Sequence, residues 1–365
     1  MAQYADSINF DEGELAVKVI RLENNGNTDT IVLDEVLTLR DSGVFNNSIM
    51  IYTFENDNFL NSHDITKGIM QLIDISRAKQ LHEIIKVSKS ESGGSAANTI
   101  AGIAKLGGKT AYVGKVKNDS LGKVFAQDLK NQNVTYNTPF AQETSIDETG
   151  RCTIIVTPDG ERSMNTYLGV TEYLKPSDID ETQIKDAEWI YLEGYRFDGP
   201  ESHEAFNKAI KACKSADGRV SLTLSDPFCV ERHREAFHNM IKSDIDLLFC
   251  NEFELKAMYQ TNDLSKALKL CSNEVEILAC TAAENGAFVM NKNEKIHIPA
   301  IPTKIVDATG AGDMFAGAFL WGLIEGYDLA TCGKMGCIAA SEIISHLGAR
   351  AEKDVKKLFT ENNLL

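Results

Sequence analysis

From about residue 85 to the C-terminus, short apolar runs alternate with amphipathic stretches. Thr110–Val116 reads as a strand, followed by a helix over Leu121–Asn131. Trp189–Leu192 precedes a helical pattern over Glu201–Ala216, and Val220–Leu224 precedes one over Glu231–Ile241. Leu247–Cys250 leads into Glu252–Tyr259, and Ile277–Thr281 is one more strand. Ala311–Ile324 and Thr331–Leu347 supply closing helices. Repeated strand-then-helix order predicts a mostly parallel sheet with helices on both faces.

Two regions break this rhythm. Arg151–Pro158 and Arg162–Leu168 flank Asp159-Gly160, a hairpin signal. Residues 143–170 therefore read as an antiparallel insertion and a candidate lid, with residues 53–75 contributing. Residues 1–40 are polar and acidic, and carry Asn24-Asn25-Gly26-Asn27. Their runs Ala16–Leu22 and Thr30–Leu39 read as short strands or as weakly ordered chain. The expected organisation is an extension over 1–40 ahead of one α/β domain over 41–365.

Composition narrows the classes of function. The chain has 365 residues, 43% of them apolar, enough for a sizeable core. A net charge of −16 argues against nucleic acid or an anionic membrane as the main partner. No stretch of 18 uninterrupted apolar residues occurs, so no membrane span is expected. The eight cysteines form no Cys-x-x-Cys pair and read as buried free thiols of a reducing compartment. No basic-then-apolar leader opens the chain, so the expected location is cytoplasmic. The seven histidines show no metal-binding spacing.

The chemistry concentrates in Asp307-Ala-Thr-Gly-Ala-Gly-Asp313, which runs directly into an apolar helix. Gly310, Ala311 and Gly312 are small enough for bare N–H groups to converge at a helix N-terminus, where an anion is favoured. Asp313 then stands in the first turn, placed to take a proton from an attacking hydroxyl. An anion hole beside a base suits phosphoryl transfer to an alcohol. The same residues also suit a tight glycine turn with an acidic cap.

A second region, Ser92-Gly-Gly-Ser-Ala-Ala-Asn-Thr99, opens another small-residue helix. Its glycines permit close approach of a ligand, and Asn98 offers a donor and an acceptor to a sugar hydroxyl. A tightly packed helix start is the alternative. Gly108-Lys109-Thr110 lacks the spacing of a phosphate-binding loop and precedes a strand. Asn251 and Glu254 follow an apolar strand, at the ligand edge of an open α/β sheet. They suit either Mg²⁺ through its waters or a plain helix cap. Thr281, Glu284 and Gly286 also lie beyond a strand. Ser225-Asp226-Pro227-Phe228 reads as turn chemistry.

These segments together resemble the ribokinase-like (pfkB) family of sugar and nucleoside kinases, over about residues 43–350. Thr149–Gly169, Tyr191–Phe206 and Leu222–Phe237 add a likeness to its bacterial adenosine kinase-type members. The resemblance implies a three-layer α/β/α fold with a small β-sheet lid. It implies ATP as donor, Mg²⁺ held by Asn251 and Glu254, and a nucleoside or sugar as acceptor. Asp313 would be the base and Gly310, Ala311 and Gly312 the anion hole. Asn46, Gly94, Ser95 and Asn98 would contact the acceptor, and Thr281, Glu284, Gly286 and Thr309 the nucleotide. A monomer or homodimer is expected.

One departure stands out. The family's opening strand reads roughly Gly-x-Gly-Asn-x-x-x-Asp, with the Asp on the sugar diol. The matching residues here are Gly43–Met50, with Phe45 for the second Gly and Met50 for the Asp. A thioether is a weak acceptor for a diol. Three readings follow: an adenosine-like nucleoside kinase, a kinase of ribose, fructose or a phosphosugar, and a non-catalytic nucleoside- or nucleotide-binding homologue.

Overall fold

The computed structural model describes residues 14–17, 37–40, 49–68, 70–142, 145, 147–159, 161–199 and 201–365. Gly43, Phe45 and Asn46 lie outside the described residues. β1 (Glu14–Val17) and β2 (Leu37–Arg40) pair antiparallel and overlap the two runs singled out in the extension. The chain continues through β3 (Ile49–Phe54), β4 (Met70–Leu72) and β5 (Lys89–Ser92). β6 (Thr110–Tyr112) and β7 (Val134–Tyr136) form a parallel two-stranded ribbon. β8 (Thr149–Val156) and β9 (Arg162–Gly169) form the expected hairpin.

The main sheet follows. β10 (Trp189–Glu193), β11 (Arg219–Thr223), β12 (Leu247–Asn251) and β13 (Ile277–Thr281) are parallel neighbours in that order. β14 (Ala287–Met290) and β15 (Lys295–Ile298) extend the sheet antiparallel at its far edge.

Alternation along the parallel strands builds two cores. Leu248, Cys250, Leu278 and Cys280 face the helices Ser202–Lys214, Pro227–Ser243, Glu252–Met258 and Leu264–Cys271. Leu247, Phe249, Ile277 and Ala279 face Ser95–Lys105, Ala311–Ile324, Leu329–Ile343 and Val355–Glu361. Helix, sheet and helix thus form three layers. The Ala311–Ile324 helix is buried continuously from Met314 to Gly322, as an all-round apolar helix must be. Each large side chain it buries contributes about 1.5–3 kcal/mol, which fixes its N-terminus against the sheet.

Some boundaries moved for local reasons. The helix expected from Glu231 starts at Pro227, because the Asp226 carboxylate accepts from Cys229 N at 2.6 Å and Pro227 suits the first turn. The strand expected to reach Val116 stops at Tyr112.

A second sheet has the order β4-β9-β8-β3-β5. Both expected lid segments supply strands to it, and β5 joins them. Register aligns its side chains in rows. Met50, Cys152, Thr166 and Leu72 make one row. Tyr52, Ile154, Met164 and Met70 make the next. Seven of the eight cysteines are buried, Cys152 is half-buried, and all eight are free thiols. Among the described residues no helix is long and apolar enough to cross a membrane.

Candidate active site

The C-terminal ends of the parallel strands converge on a cavity of about 560 Å³. Glu193 ends β10, Thr223 ends β11, Asn251 ends β12 and Thr281 ends β13, and all four line it. This is the edge where an open α/β sheet binds ligands. Two helix starts close the floor, at Gly94-Ser95 and at Gly310–Asp313. The second sheet forms the facing wall, with Met50, Met70, Leu72, Cys152, Ile154, Met164 and Thr166.

The two helix starts meet at Asp313. Its Oδ1 accepts from Ser95 Oγ at 2.7 Å and its Oδ2 from Asn98 Nδ2 at 2.8 Å. Burial pushes the Asp313 carboxyl up to about 6, and the Glu193 carboxylate adds to the rise while these two hydrogen bonds oppose it. Asn98 is itself buried, and its Oδ1 has no partner among the described residues. A buried orphan acceptor is costly unless a ligand satisfies it.

Gly310 adopts φ +80° as the cap of the Ala311–Ile324 helix, a left-handed geometry that favours glycine. A Cβ on Gly312 would meet nothing within 4 Å. Gly310, Gly312 and Asp313 line the cavity at this helix start, while Ala311 N donates to the Ala308 carbonyl at 3.3 Å, so Gly312 and Asp313 are the positions where the helix N-terminus can favour an anion. Thr309 lines the same wall.

Asp307 holds this loop in place and is a residue to which sequence reasoning gave no role. Its Oδ1 accepts from Thr309 N at 2.9 Å and Thr309 Oγ1 at 2.7 Å, and its Oδ2 from Gly348 N at 3.0 Å. Arg162 was missed altogether. From β9 it donates to Asp307 Oδ1 at 2.7 Å and to Thr309 Oγ1 at 3.1 Å, tying the second sheet to the loop. The only signal in the sequence was its place just after the Asp159-Gly160 turn.

Asn251 and Glu254 form a reciprocal helix cap. Asn251 Oδ1 accepts from Phe253 N at 2.8 Å and Glu254 N at 2.9 Å, and Glu254 Oε2 accepts from Asn251 N at 2.9 Å. Both nonetheless line the cavity. Burial pushes Glu254 up to about 7, with the Asp226 and Asp313 carboxylates adding to it. The cap residues are thus also cavity-lining residues. A pocket in which several carboxylates raise one another's cost of ionisation fits a hard divalent cation.

Thr281 lines the cavity, whereas Glu284 is exposed and does not. Gly286 lies outside the lining too, with the Ile298 carbonyl where a Cβ would stand. Ser225, read as turn chemistry, lines the cavity at φ +71°, and its Oγ accepts from Tyr195 N at 3.2 Å. A non-glycine residue in this region is uncommon and tends to cluster at functional sites.

A family model described as pfkB family carbohydrate kinase matches residues 63–356. Among solved structures, a probable sugar kinase from Rhizobium etli CFN 42 superposes with a TM-score of 0.82 at 40% identity. The match covers 87% of this chain and 96% of that one. The adenosine kinase from Sinorhizobium meliloti gives a TM-score of 0.81 at 36% identity, covering 86% and 96%. A 5-dehydro-2-deoxygluconokinase of Listeria monocytogenes serotype 4b is 29% identical over 307 residues, 78% of this chain and 93% of its own length.

Proposed function

We propose, since the chain belongs to the pfkB family of carbohydrate kinases and has its ribokinase-like α/β fold, that it transfers the γ-phosphoryl group of ATP to a hydroxyl of an adenosine-like nucleoside. As a family member it is a sugar or nucleoside kinase. The observation that carries the finer reading is the pairing of Asp313, held by Ser95 and Asn98, with a facing wall of apolar side chains. The first can activate a hydroxyl. The second suits the flat, weakly polar face of a nucleobase.

In this reading the acceptor hydroxyl lies against Asp313. Asp313 takes its proton as the new O–P bond forms and the bond from the γ-phosphorus to the bridging oxygen breaks. The N–H groups at Gly312 and Asp313 stabilise the charge gathered on the transferring group. Thr281 and Thr309 line the approach of the donor, with Glu284 and Gly286 at its outer end.

Mg²⁺ would neutralise charge between the phosphates, and Asn251 and Glu254 are the residues to hold it. Among the described residues no three His, Cys, Asp or Glu side chains converge to hold an ion alone. Water and phosphate oxygens would supply the rest of its ligands, as Mg²⁺ prefers. Glu254→Gln keeps the side-chain volume but only one of the two oxygens to which Asn251 N and Nδ2 donate, so thermal melting is followed beside the rate. The Mg²⁺ concentration for half-maximal rate should rise. An unchanged magnesium titration would remove Glu254 from this role.

The second sheet acts as a lid. Closure excludes water, which otherwise competes with the acceptor for the phosphoryl group. The Arg162 contacts to Asp307 and Thr309 give it a tether at the anion loop. Hydrogen exchange should show new protection in β8 and β9 on adding acceptor. Unaltered exchange there at saturating ligand would contradict a moving lid.

The reading as a whole is tested by a screen of phosphate transfer from ATP across purine and pyrimidine nucleosides, ribose, fructose and sugar acids. Turnover of nucleosides above all sugars is expected. The sugar reading draws on the relatives that act as 5-dehydro-2-deoxygluconokinases. Turnover confined to sugars would favour it.

A further inference from the structure

We infer that Arg196 reads the far edge of the acceptor's base, so that purine nucleosides with an oxygen at C6, such as inosine, are used in preference to adenosine. The inference rests on the nucleoside reading above and narrows it to one class of base.

Strand order lays the cavity out along a line. Thr281, Asn251, Thr223 and Glu193 end β13, β12, β11 and β10, which are successive neighbours. The donor approaches at Thr281, and Glu193 stands three strand spacings away, about 14 Å. Glu193 belongs to the reacting end. Its Oε2 accepts from Ala96 N at 3.4 Å, next to Ser95, and its charge acts on Asp313. Arg196 lies one turn further on, in the 3₁₀ turn Gly194–Asp198, and lines the cavity. An acceptor with its reacting hydroxyl at Asp313 therefore carries its other end toward Arg196.

Arg151, Arg162 and Arg196 are the arginines among the described residues that line the cavity. Arg151 pairs with Glu148 at 3.0 Å and Arg162 with Asp307 at 2.7 Å. Arg196 is half-buried, and its Nη1 donates to the Thr171 carbonyl at 2.7 Å. No carboxylate pairs with it among the described residues. The turn that carries it is pinned to the next strand end. Tyr195 N donates to Ser225 Oγ at 3.2 Å, and Tyr195 Oη to the Ser225 carbonyl at 3.3 Å. The far end of the cavity thus holds an anchored guanidinium with donors to spare and no acceptor of its own.

A purine hangs from its sugar by N9, and C6 lies on the ring remote from that bond. An oxygen at C6, with N7 beside it, presents two acceptors to the fork of a guanidinium. Adenine presents an amino donor at C6 instead, and a donor facing a donor is rejected. The apolar lid wall takes the face of either base, so the discrimination falls to this edge.

The test compares kcat/KM for inosine and adenosine at saturating MgATP. The wild-type protein should favour inosine by about tenfold or more, a separation that one guanidinium–base pair supplies. The difference should lie in KM more than in kcat, because Arg196 stands away from the reacting atoms. Arg196→Leu should bring the two values within about threefold of each other. Arg196→Gln offers one donor and one acceptor, the pattern that matches N7 and the amino group of adenine, and should reverse the preference. Arg196→Lys keeps a donor without the fork and should keep the direction at a smaller ratio. Thermal melting is followed beside the rates, and if Arg196→Leu does not fold, the opposite shifts of the Gln and Lys variants decide. Equal wild-type use of the two nucleosides, or a preference for adenosine, overturns the inference and leaves the nucleoside reading standing. An inosine preference that survives in folded Arg196→Leu or Arg196→Gln also overturns it, since another group then reads C6. Turnover of sugars with neither nucleoside overturns the inference together with the nucleoside reading.

Discussion

Replacing Asp313 by Asn is expected to lower kcat by about 10²–10⁴-fold while ATP affinity stays near its starting value. The substitution is nearly isosteric, and the surroundings can absorb it. The introduced side chain can keep its carbonyl oxygen toward the Asn98 amide and turn its own amide toward Ser95, whose hydroxyl oxygen can accept. Geometry survives and basicity does not. The pH dependence makes the assignment specific. Burial holds the carboxyl at about 6, well above an ordinary aspartate. Above that value Asp313 is ionised and can take the proton. Below it the group is protonated, and kcat/KM should fall tenfold for each further pH unit. Glu254, pushed up to about 7, titrates nearby, so the limb near pH 6 should persist in Glu254→Gln and vanish in Asp313→Asn. Near wild-type turnover by Asp313→Asn, or an acid limb that survives in it, would mean that another group is the base.

The parts of this site that were legible in the sequence are those where one short segment carries its own geometry. Gly310–Asp313 is such a segment: small residues, a helix start and a carboxylate follow one another, and the helix begins at Ala311 as the pattern requires. β13 likewise begins at Ile277 and ends at Thr281, where the apolar run begins and ends. What escaped depends on partners distant in the chain. β5 is Lys-Ser-Glu-Ser, with no apolar period, and is a strand because β3 offers it a ladder. The β14–β15 hairpin turns without glycine or proline, because Asn291 Oδ1 accepts from Asn293 N and Glu294 N. Arg162 and Asp307 are 145 residues apart and each is unremarkable in its own segment. The lid's cavity face was hidden for the same reason: its two rows collect side chains from four strands, and only register aligns them.

Gly312→Val should lower kcat/KM by about 10²–10³-fold in a protein that melts no lower than the original. Two features make this position a clean probe of the anion hole. A Cβ at Gly312 meets nothing within 4 Å, so the first carbon of a side chain fits without any neighbour moving. Removing a helical glycine also relieves its propensity penalty, about 0.8–1.0 kcal/mol against Ala, part of which β-branched Val gives back. Stability therefore has no reason to fall. Gly310 cannot serve the same purpose: it sits at φ +80° with Ala349 against its Cβ position, and any change there deforms the loop as well. The cost to catalysis is local. Gly312 lines the cavity beside Asp313, so a branched side chain there covers N–H groups that the transferring phosphoryl group would need. Gly312→Ala should fall between the two in rate, since one methyl group covers less. Thermal melting separates misfolding from a blocked site, and titration with MgATP separates weaker binding from slower transfer. A Gly312→Val protein that melts normally and turns over near the wild-type rate would show that the start of this helix is not where the phosphoryl group passes.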